Sequence, residues 1–327
     1  MDNANIQKLV EISRKYYEQN MTQDSIAKIF RMSRSAVSMA LTEAKSMGII
    51  TIQIKDPSEN NREIAEQMER RFGLKKCIVI PSGTYEDHTL LRILASQAVR
   101  FAADIFYSHS SIGVAWGNTL NEFMSNFPSE TTLCDITVVP LVGTSPLLTS
   151  EFQLNESVRM FAEKLRGYPV FIYSPGMVDT MEDKERIIRS SYMQPVLDLW
   201  QHLDFAVIGI GRVSDESGKK KMQSSYQNML EQVCMCPEMA VGDICARRIN
   251  IRGEFIENDF NRKLICITDD SLSRAKEILA LAVGSRKALA IIAALRTELI
   301  HYFITDENTA LQVLNLMDNP DLPKKNS

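Results

Sequence analysis

The sequence predicts a small helical head followed by a large α/β body on a mainly parallel sheet, and three observations predict it. The first fifty residues read as helix, short helix, tight turn and helix. The rest alternates short, apolar, β-rich runs with helical stretches, the pattern of a sheet covered on both faces. Charge is divided the same way. Residues 1–55 carry eight Lys or Arg against five acids, a net of +3, in a chain whose total is −4, so the remainder carries −7. A basic head on an acidic body directs the head toward a polyanion and gives the body a different task.

In the head, Ile6, Leu9, Val10, Tyr16 and Tyr17 recur at helical spacing between Asn5 and Tyr17. Thr22 is placed to cap a short second helix, with Asp24 at the positive end of its dipole and Ile26, Ala27 and Phe30 as its apolar stripe. Arg31, Met32 and Ser33 form the turn. Ser33 then caps a third helix running to about Met47, with Gly48 as its left-handed stop. Val37, Ala40, Leu41, Ala44 and Met47 share one face of that helix, which leaves Arg34, Ser35, Ser38, Met39, Thr42 and Lys45 on the other. Ile49 to Ile54 alternates like the strand of a small wing.

This order is the helix-turn-helix pattern, and a face of short hydroxyl donors, one guanidinium and one apolar side chain suits the major groove of double-stranded DNA. Ser33, Arg34, Ser35, Ser38 and Thr42 are the candidate contacts of the inserted helix, and Thr22 and Gln23 lie where a phosphate would pass. A protein-docking module of three helices has the same periodicity and stays open as an alternative. A charge of only +3 gives weak non-specific affinity, so pairing of heads in a homo-oligomer is expected.

The domain expectation is therefore a winged helix-turn-helix at 1–55, a linker helix and α/β body at 56–317, and a tail at 318–327. From Asp56 to Arg71 a polar turn passes into a charged helix with Ile64, Ala65 and Met68 on one side. Strands are expected at Lys76–Pro81, Ser111–Trp116, Asp135–Val142, Val170–Tyr173, Phe205–Ile210, Leu264–Thr268, Leu279–Val283 and Ile300–Thr305, with a helix at Thr89–Phe106. Open sheets of this kind bind ligands at the carboxyl ends of their strands. Four loops there are informative. Gly117 is followed by Asn118 and Thr119, where a starting helix aims N–H groups and a hydroxyl at an anion. Gly143 and Thr144 make a second small-residue turn, Gly209 and Gly211 a third. Gly284 precedes Ser285, Arg286 and Lys287, which bring a hydroxyl and two cations to a helix start. Simple turn geometry explains any one of these glycines, and their coincidence carries the argument. Ser214 replaces the third glycine of a dinucleotide fingerprint, and Gly113–Thr119 lacks the lysine of a phosphate loop, so no nucleotide is indicated.

The segments "MTQDSIAKIFRMSRSAVSMALTEAKSMGII", "FGLKKCIVIP", "SIGVAWGNTL", "FAVIGIG", "AVGDI" and "AVGSRKALAIIAALRTELIHYFITDENTALQVL" together resemble the SorC-type sugar-binding bacterial transcriptional regulators across nearly the whole chain. The resemblance implies an effector domain similar to sugar-phosphate isomerases, a phosphorylated sugar as effector, control of a carbohydrate operon, and a tetramer. It also implies a phosphate or sugar site at Gly117, Asn118, Thr119 and Leu120, with Asp243 on sugar hydroxyls and Lys287 near the anion. The chain departs from the family at Met39, usually arginine, at Thr144, usually glycine, and at Val283-Gly284 and Thr297-Glu298, usually glycine pairs. The departure at Met39 bears on base or phosphate contact by the head, and the others imply an effector of different size or chemistry, or weak binding.

An isomerase-like body raises catalysis as an alternative, with Asp243, Asp306 or Glu307 as the proton-moving groups. Asp306 reads better as a helix cap with Glu307 in the first turn, and an enzyme has little use for the head. The expectation is a non-enzyme. A ligand-free oligomeric DNA-binding protein is the third reading. His88, His109, His202 and His301 have no metal or triad spacing, and the six cysteines lack the paired spacing of a zinc site, so no metal or cofactor is expected and reduced thiols are. No run of about 18 apolar residues or secretory signal is visible, which places the chain in the cytoplasm with no membrane partner.

Overall fold

The structure, a computed structural model, describes residues 3–50, 57–83, 85, 87–129, 131–144, 154–213 and 226–325. The chain divides into two compact units, 1–56 and 57–327.

In the first unit, α1 (Asn3–Tyr17), α2 (Gln23–Phe30) and α3 (Arg34–Ser46) enclose a small core of Leu9, Ile12, Ile26, Ala27, Val37, Ala40, Leu41 and Ala44. Both expected caps form. The Thr22 hydroxyl accepts from the Ser25 N–H at 3.3 Å, and the Ser33 hydroxyl from the Ala36 N–H at 3.1 Å. Arg31 turns the chain between α2 and α3 in the left-handed conformation, φ 51°, which a residue with a Cβ adopts at some cost. Met47 does not join the buried face. It caps α3 where the helix has ended and is 39% exposed. The wing strand expected at Ile49–Ile54 lies outside the described residues from Thr51 onward.

The second unit begins with α4 (Pro57–Phe72), held by Ile64, Ala65 and Met68, and β1 (Lys76–Ile80). It continues through α5 (Asp87–Ile105), β2 (Ser111–Val114), α6 (Asn118–Asn126), β3 (Thr137–Pro140), α7 (Leu154–Lys164) and β4 (Tyr168–Pro169). Then follow α8 (Met181–Ile188), α9 (Gln194–Gln201), β5 (Phe205–Arg212), α10 (Tyr226–Met235) and a hairpin of β6 (Ala240–Ile244) and β7 (Arg247–Asn250). The last elements are α11 (Asp259–Arg262), α12 (Asp269–Ser273), β8 (Glu277–Leu281), α13 (Ala288–Arg296), β9 (Tyr302–Asp306) and α14 (Glu307–Met317).

The strand order is β1-β9-β8-β5-β2-β3-β4, every neighbour parallel, and β6 extends the end of β5 antiparallel with β7 beside it. The expected mainly parallel sheet is therefore present. Its central strands are buried on both faces, β5 reading Phe205, Ala206, Val207 and Ile208 without a break. Helix α13, buried at every position, packs in one of the flanking layers.

Two expected strands are not strands. At Val170–Tyr173 the ladder has already ended with Pro169, because the Asn155 side chain takes both backbone groups of Ile172, accepting at 3.2 Å and donating at 3.0 Å. At Leu264–Thr268 the backbone splits its bonds between Leu141, Gly143 and Gly176 and forms only isolated bridges. The segment 318–325 packs on the body: Leu322 is buried, and the Pro323 carbonyl accepts from the buried Arg296 at 2.7 Å.

Candidate functional site

The topology fixes where a ligand site can open. After β2 the chain crosses to β3 on one side, and after β5 it runs by way of the hairpin to β8 on the other, so the loops leaving β2 and β5 diverge. A crevice at the carboxyl ends of two such strands is the general binding place of open α/β sheets. A cavity of about 270 Å³ lies there, lined by Trp116, Gly117, Asn118, Thr119 and Leu120 after β2, by Gly209, Ile210 and Gly211 of β5, and by Asp243, Cys245, Ala246 and Lys287.

Helix α6 starts at this cavity. Its N-cap, Gly117, has φ 134°, a conformation that excludes most side chains, and the position of its missing Cβ has nothing within 4 Å. No side chain caps the helix. The first N–H groups of α6, from Asn118, Thr119 and Leu120, therefore keep the donor capacity that a helix start leaves unused. The arrangement suits an anion.

Lys287 and Asp243 supply the charge. Lys287 comes from the 3₁₀ turn after β8 and donates to the Ile210 carbonyl at 3.1 Å. Burial lowers its pKa below the ordinary lysine value, Asp243 opposes that shift, and Arg212 adds to it. Asp243 stands on β6 opposite Gly211 in the antiparallel register. A Cβ on Gly211 would lie 2.0 Å from the Asp243 Oδ1, so the glycine is the space in which the carboxylate sits. Burial raises the Asp243 pKa, against the influence of Lys287, a backbone N–H bond from Ala246, and Arg248. Each partner is thus held at a cost in its charged form, and a ligand with an anionic end and hydroxyl groups relieves both. Gly211→Ala is expected to displace Asp243 and weaken ligand binding about tenfold or more, with little change at the Lys287 end, as titration of phosphorylated and plain sugars would show.

A second hollow of about 290 Å³ shares Trp116, Asp243 and Ala246 with the first and adds Arg212, Arg248 and Phe260. The Arg248 guanidinium lies 3.8 Å from the Phe260 ring centroid. Sequence reasoning missed these three residues. Arg212 directly follows Gly211, but Arg248 and Phe260 reach the cleft only through the hairpin and α11.

Of the other expected ligand residues, Gly143 and Thr144 are not brought to the cavity. Gly143 is pressed against Pro175, whose carbonyl oxygen lies 2.5 Å from the place of a Cβ, and the Thr144 hydroxyl donates to the Ser174 carbonyl at 3.0 Å. The Gly284 N–H is already shared by Asp306 Oδ1 at 3.0 Å and Thr309 Oγ1 at 2.9 Å, so it braces the turn that carries Lys287. Among the described residues, one cluster of possible metal-holding groups, His109, Cys134 and Asp135, has ligand atoms within 4.8 Å of one another. It sits before β2 and β3, at the opposite ends of the strands from the cavity.

In the head unit, Arg34, Ser35, Ser38, Met39, Thr42 and Lys45 are all exposed on α3, and Thr22 and Gln23 border a groove with Tyr16, Tyr17 and Arg34. Several hydroxyls are committed locally. Ser33 caps α3 and bonds to Ser35 at 2.8 Å, Thr22 caps α2, and Thr42 donates to the Ser38 carbonyl at 3.0 Å.

A family model described as "Putative sugar-binding domain" matches residues 56–315. Over nearly the whole chain the sequence is similar to regulators from several bacteria. It is 26% identical to the sorbitol operon regulator of Klebsiella pneumoniae over 312 residues, 95% of this chain and 98% of that one. It is 25% identical to the deoxyribonucleoside regulator of Bacillus subtilis, covering 96% and 99%. The crystal structure of the full-length sorbitol operon regulator SorC superimposes with a TM-score of 0.70 at 25% identity, over 96% of this chain and 99% of that one. A helical N-terminal unit followed in sequence by an α/β unit that matches a sugar-binding domain defines a class of regulatory proteins. The chain belongs to the SorC-type sugar-binding regulator family. These relatives are named as regulators, and a further one, from Enterobacter, as the transcriptional regulator LsrR. Among the described residues no helix is long and apolar enough to cross a membrane.

Proposed function

We propose that the protein is an effector-responsive, DNA-binding regulator of a carbohydrate-utilisation operon that senses a phosphorylated sugar and works as a homo-oligomer, a tetramer in the simplest case. One observation carries the effector class: the open start of α6 at Gly117 shares a cavity with Lys287, and Asp243 lines the same cavity. The phosphate takes the N–H groups of Asn118, Thr119 and Leu120 and the Lys287 ammonium, and Asp243 accepts from sugar hydroxyls. Calorimetric titration with a panel of sugars and their phosphate esters tests the class. Binding of esters alone supports it. Equal binding of plain sugars refutes the phosphate, and no heat from any compound leaves an oligomeric platform without a ligand.

The coupling is a population shift. A ligand that prefers one arrangement of subunits changes the spacing between paired heads and thereby the half-sites they span together. The head reads duplex DNA with the exposed face of α3. Arg34→Ala is expected to weaken duplex binding about 5- to 100-fold and leave effector affinity unchanged, measured by fluorescence anisotropy and calorimetry. Unaltered DNA affinity removes Arg34 from the reading face.

The lowered pKa of Lys287 gives a pH dependence with a definite sign. The free ammonium loses its proton below the ordinary lysine range, and a bound phosphate raises its pKa again. Ester affinity therefore falls as pH rises toward that range, and binding there takes up protons. Titrations in buffers of different ionisation enthalpy measure the uptake, and Lys287→Gln abolishes it.

A further inference from the structure

Helix α3 has a polar outer face with one large apolar side chain in its middle. Met39 is 72% exposed, the most open of the exposed large hydrophobic residues of the head, ahead of Ile29 at 52%. Its neighbours on that face are Ser35 one turn before it, Ser38 beside it and Thr42 nearly one turn after, all exposed. An isolated surface methionine needs no explanation by itself. The state of these neighbours gives it one.

Two of the three hydroxyls are already engaged within the head. Ser35 is bonded to Ser33 at 2.8 Å, and the Thr42 proton goes to the Ser38 carbonyl at 3.0 Å. The middle of the face therefore has part of its hydroxyl capacity committed and carries one long, unbranched, polarizable side chain that adapts to the surface it meets. Met39 is the sixth residue of α3, which puts it about 7.5 Å along the axis from the first. Met39 thus lies in the N-terminal half of α3, as Arg34 does, and that half of a recognition helix is the part that meets base edges. Among the groups that base pairs present in the major groove, the apolar one is the 5-methyl group of thymine.

We infer that Met39 is a specificity-determining residue that selects thymine in each half-site by covering its 5-methyl group. The inference rests on the DNA-reading role proposed for the head, and its test separates the two. Random 40-bp duplexes are selected with the full-length protein and with Met39→Ala. The enriched duplex is then resynthesised with deoxyuridine in place of each thymine in turn, which removes only the methyl group. The wild type should lose affinity about three- to tenfold at one thymine per half-site, the effect of exposing about one buried methyl or two. Met39→Ala should lose a similar amount on the thymine duplex and be indifferent to deoxyuridine there. Because the side chain is exposed, its truncation leaves the core of the head untouched, and circular dichroism should match the wild type. If the wild type enriches a sequence but ignores every deoxyuridine, or if Met39→Ala keeps the full thymine preference, the inference is overturned and the DNA-reading role stands. If the wild type enriches no sequence, both fall.

Discussion

Lys287→Ala is expected to raise the dissociation constant for a sugar phosphate about 10- to 100-fold, the usual contribution of a hydrogen bond to a charged group. The affinity for the corresponding plain sugar should change by no more than a few fold. The reason lies in how the ammonium is held. It is anchored to the Ile210 carbonyl at 3.1 Å, and its charged form is disfavoured by burial. Such a lysine is already oriented and partly desolvated before ligand arrives, so little is lost in ordering it. Its removal leaves the buried Asp243 carboxylate and the Ile210 carbonyl without the ammonium, so the free variant is expected to be somewhat less stable than the wild type. Lys287→Met, which keeps the stem, should bind the ester as weakly as alanine does if charge is what matters, and DNA affinity without effector should be unchanged. Calorimetry with ester and plain sugar on the three proteins gives the answer. An equal loss for both ligands would place Lys287 on the sugar ring and remove it from the phosphate.

Much of the architecture was legible because it depends on local chemistry. Thr22 and Ser33 cap the helices that their positions indicated, and Val37, Ala40, Leu41 and Ala44 are buried as their spacing required. The apolar runs of β1, β2, β5, β8 and β9 fall within or close to their expected limits, since a strand buried on both faces leaves an unbroken signal. The hairpin of β6 and β7 left none of its usual marks. Its turn uses Cys245 and Ala246, both with positive φ, 50° and 67°, where such turns ordinarily take asparagine, aspartate or glycine. That hairpin carries Arg248 beside Asp243, and only Asp243, through the segment "AVGDI", was named from the sequence. Gly143, Thr144 and Gly284 do not line the cavity, for a related reason. A glycine at a strand end looks the same in sequence whether it faces a ligand or another backbone, and here Gly143 meets Pro175 and Gly284 is tied to Asp306.

The second large effect is expected at Asp306, where the structure turns a sequence-level cap into a junction. Its carboxylate is 1% exposed and accepts from the Ser82 hydroxyl at 3.0 Å, the Gly284 N–H at 3.0 Å, the Thr309 N–H at 3.1 Å and the Thr309 hydroxyl at 2.5 Å. Three segments meet on one side chain: the chain just after β1, the turn after β8 and the start of α14. Asp306→Ala leaves the Ser82 hydroxyl and the Thr309 N–H and hydroxyl without this acceptor, at about 1–3 kcal/mol each, and the Gly284 N–H with Thr309 alone, so a total loss of about 3–5 kcal/mol is expected. For a body of this size that lowers the thermal midpoint by roughly 10 °C. Asp306→Asn should recover little, since its amide turns two donors toward donors. The effect also reaches the ligand, because Gly284 opens the turn that ends in Lys287. Below its midpoint, the variant should bind a phosphate ester several-fold more weakly than the wild type, while Thr309→Val, which removes one hydroxyl and keeps the carboxylate, loses less on both measures. Scanning calorimetry and titration of the same preparations check this. A midpoint within about 2 °C of the wild type would mean that the donors find water instead, and that the turn holds its shape without the carboxylate.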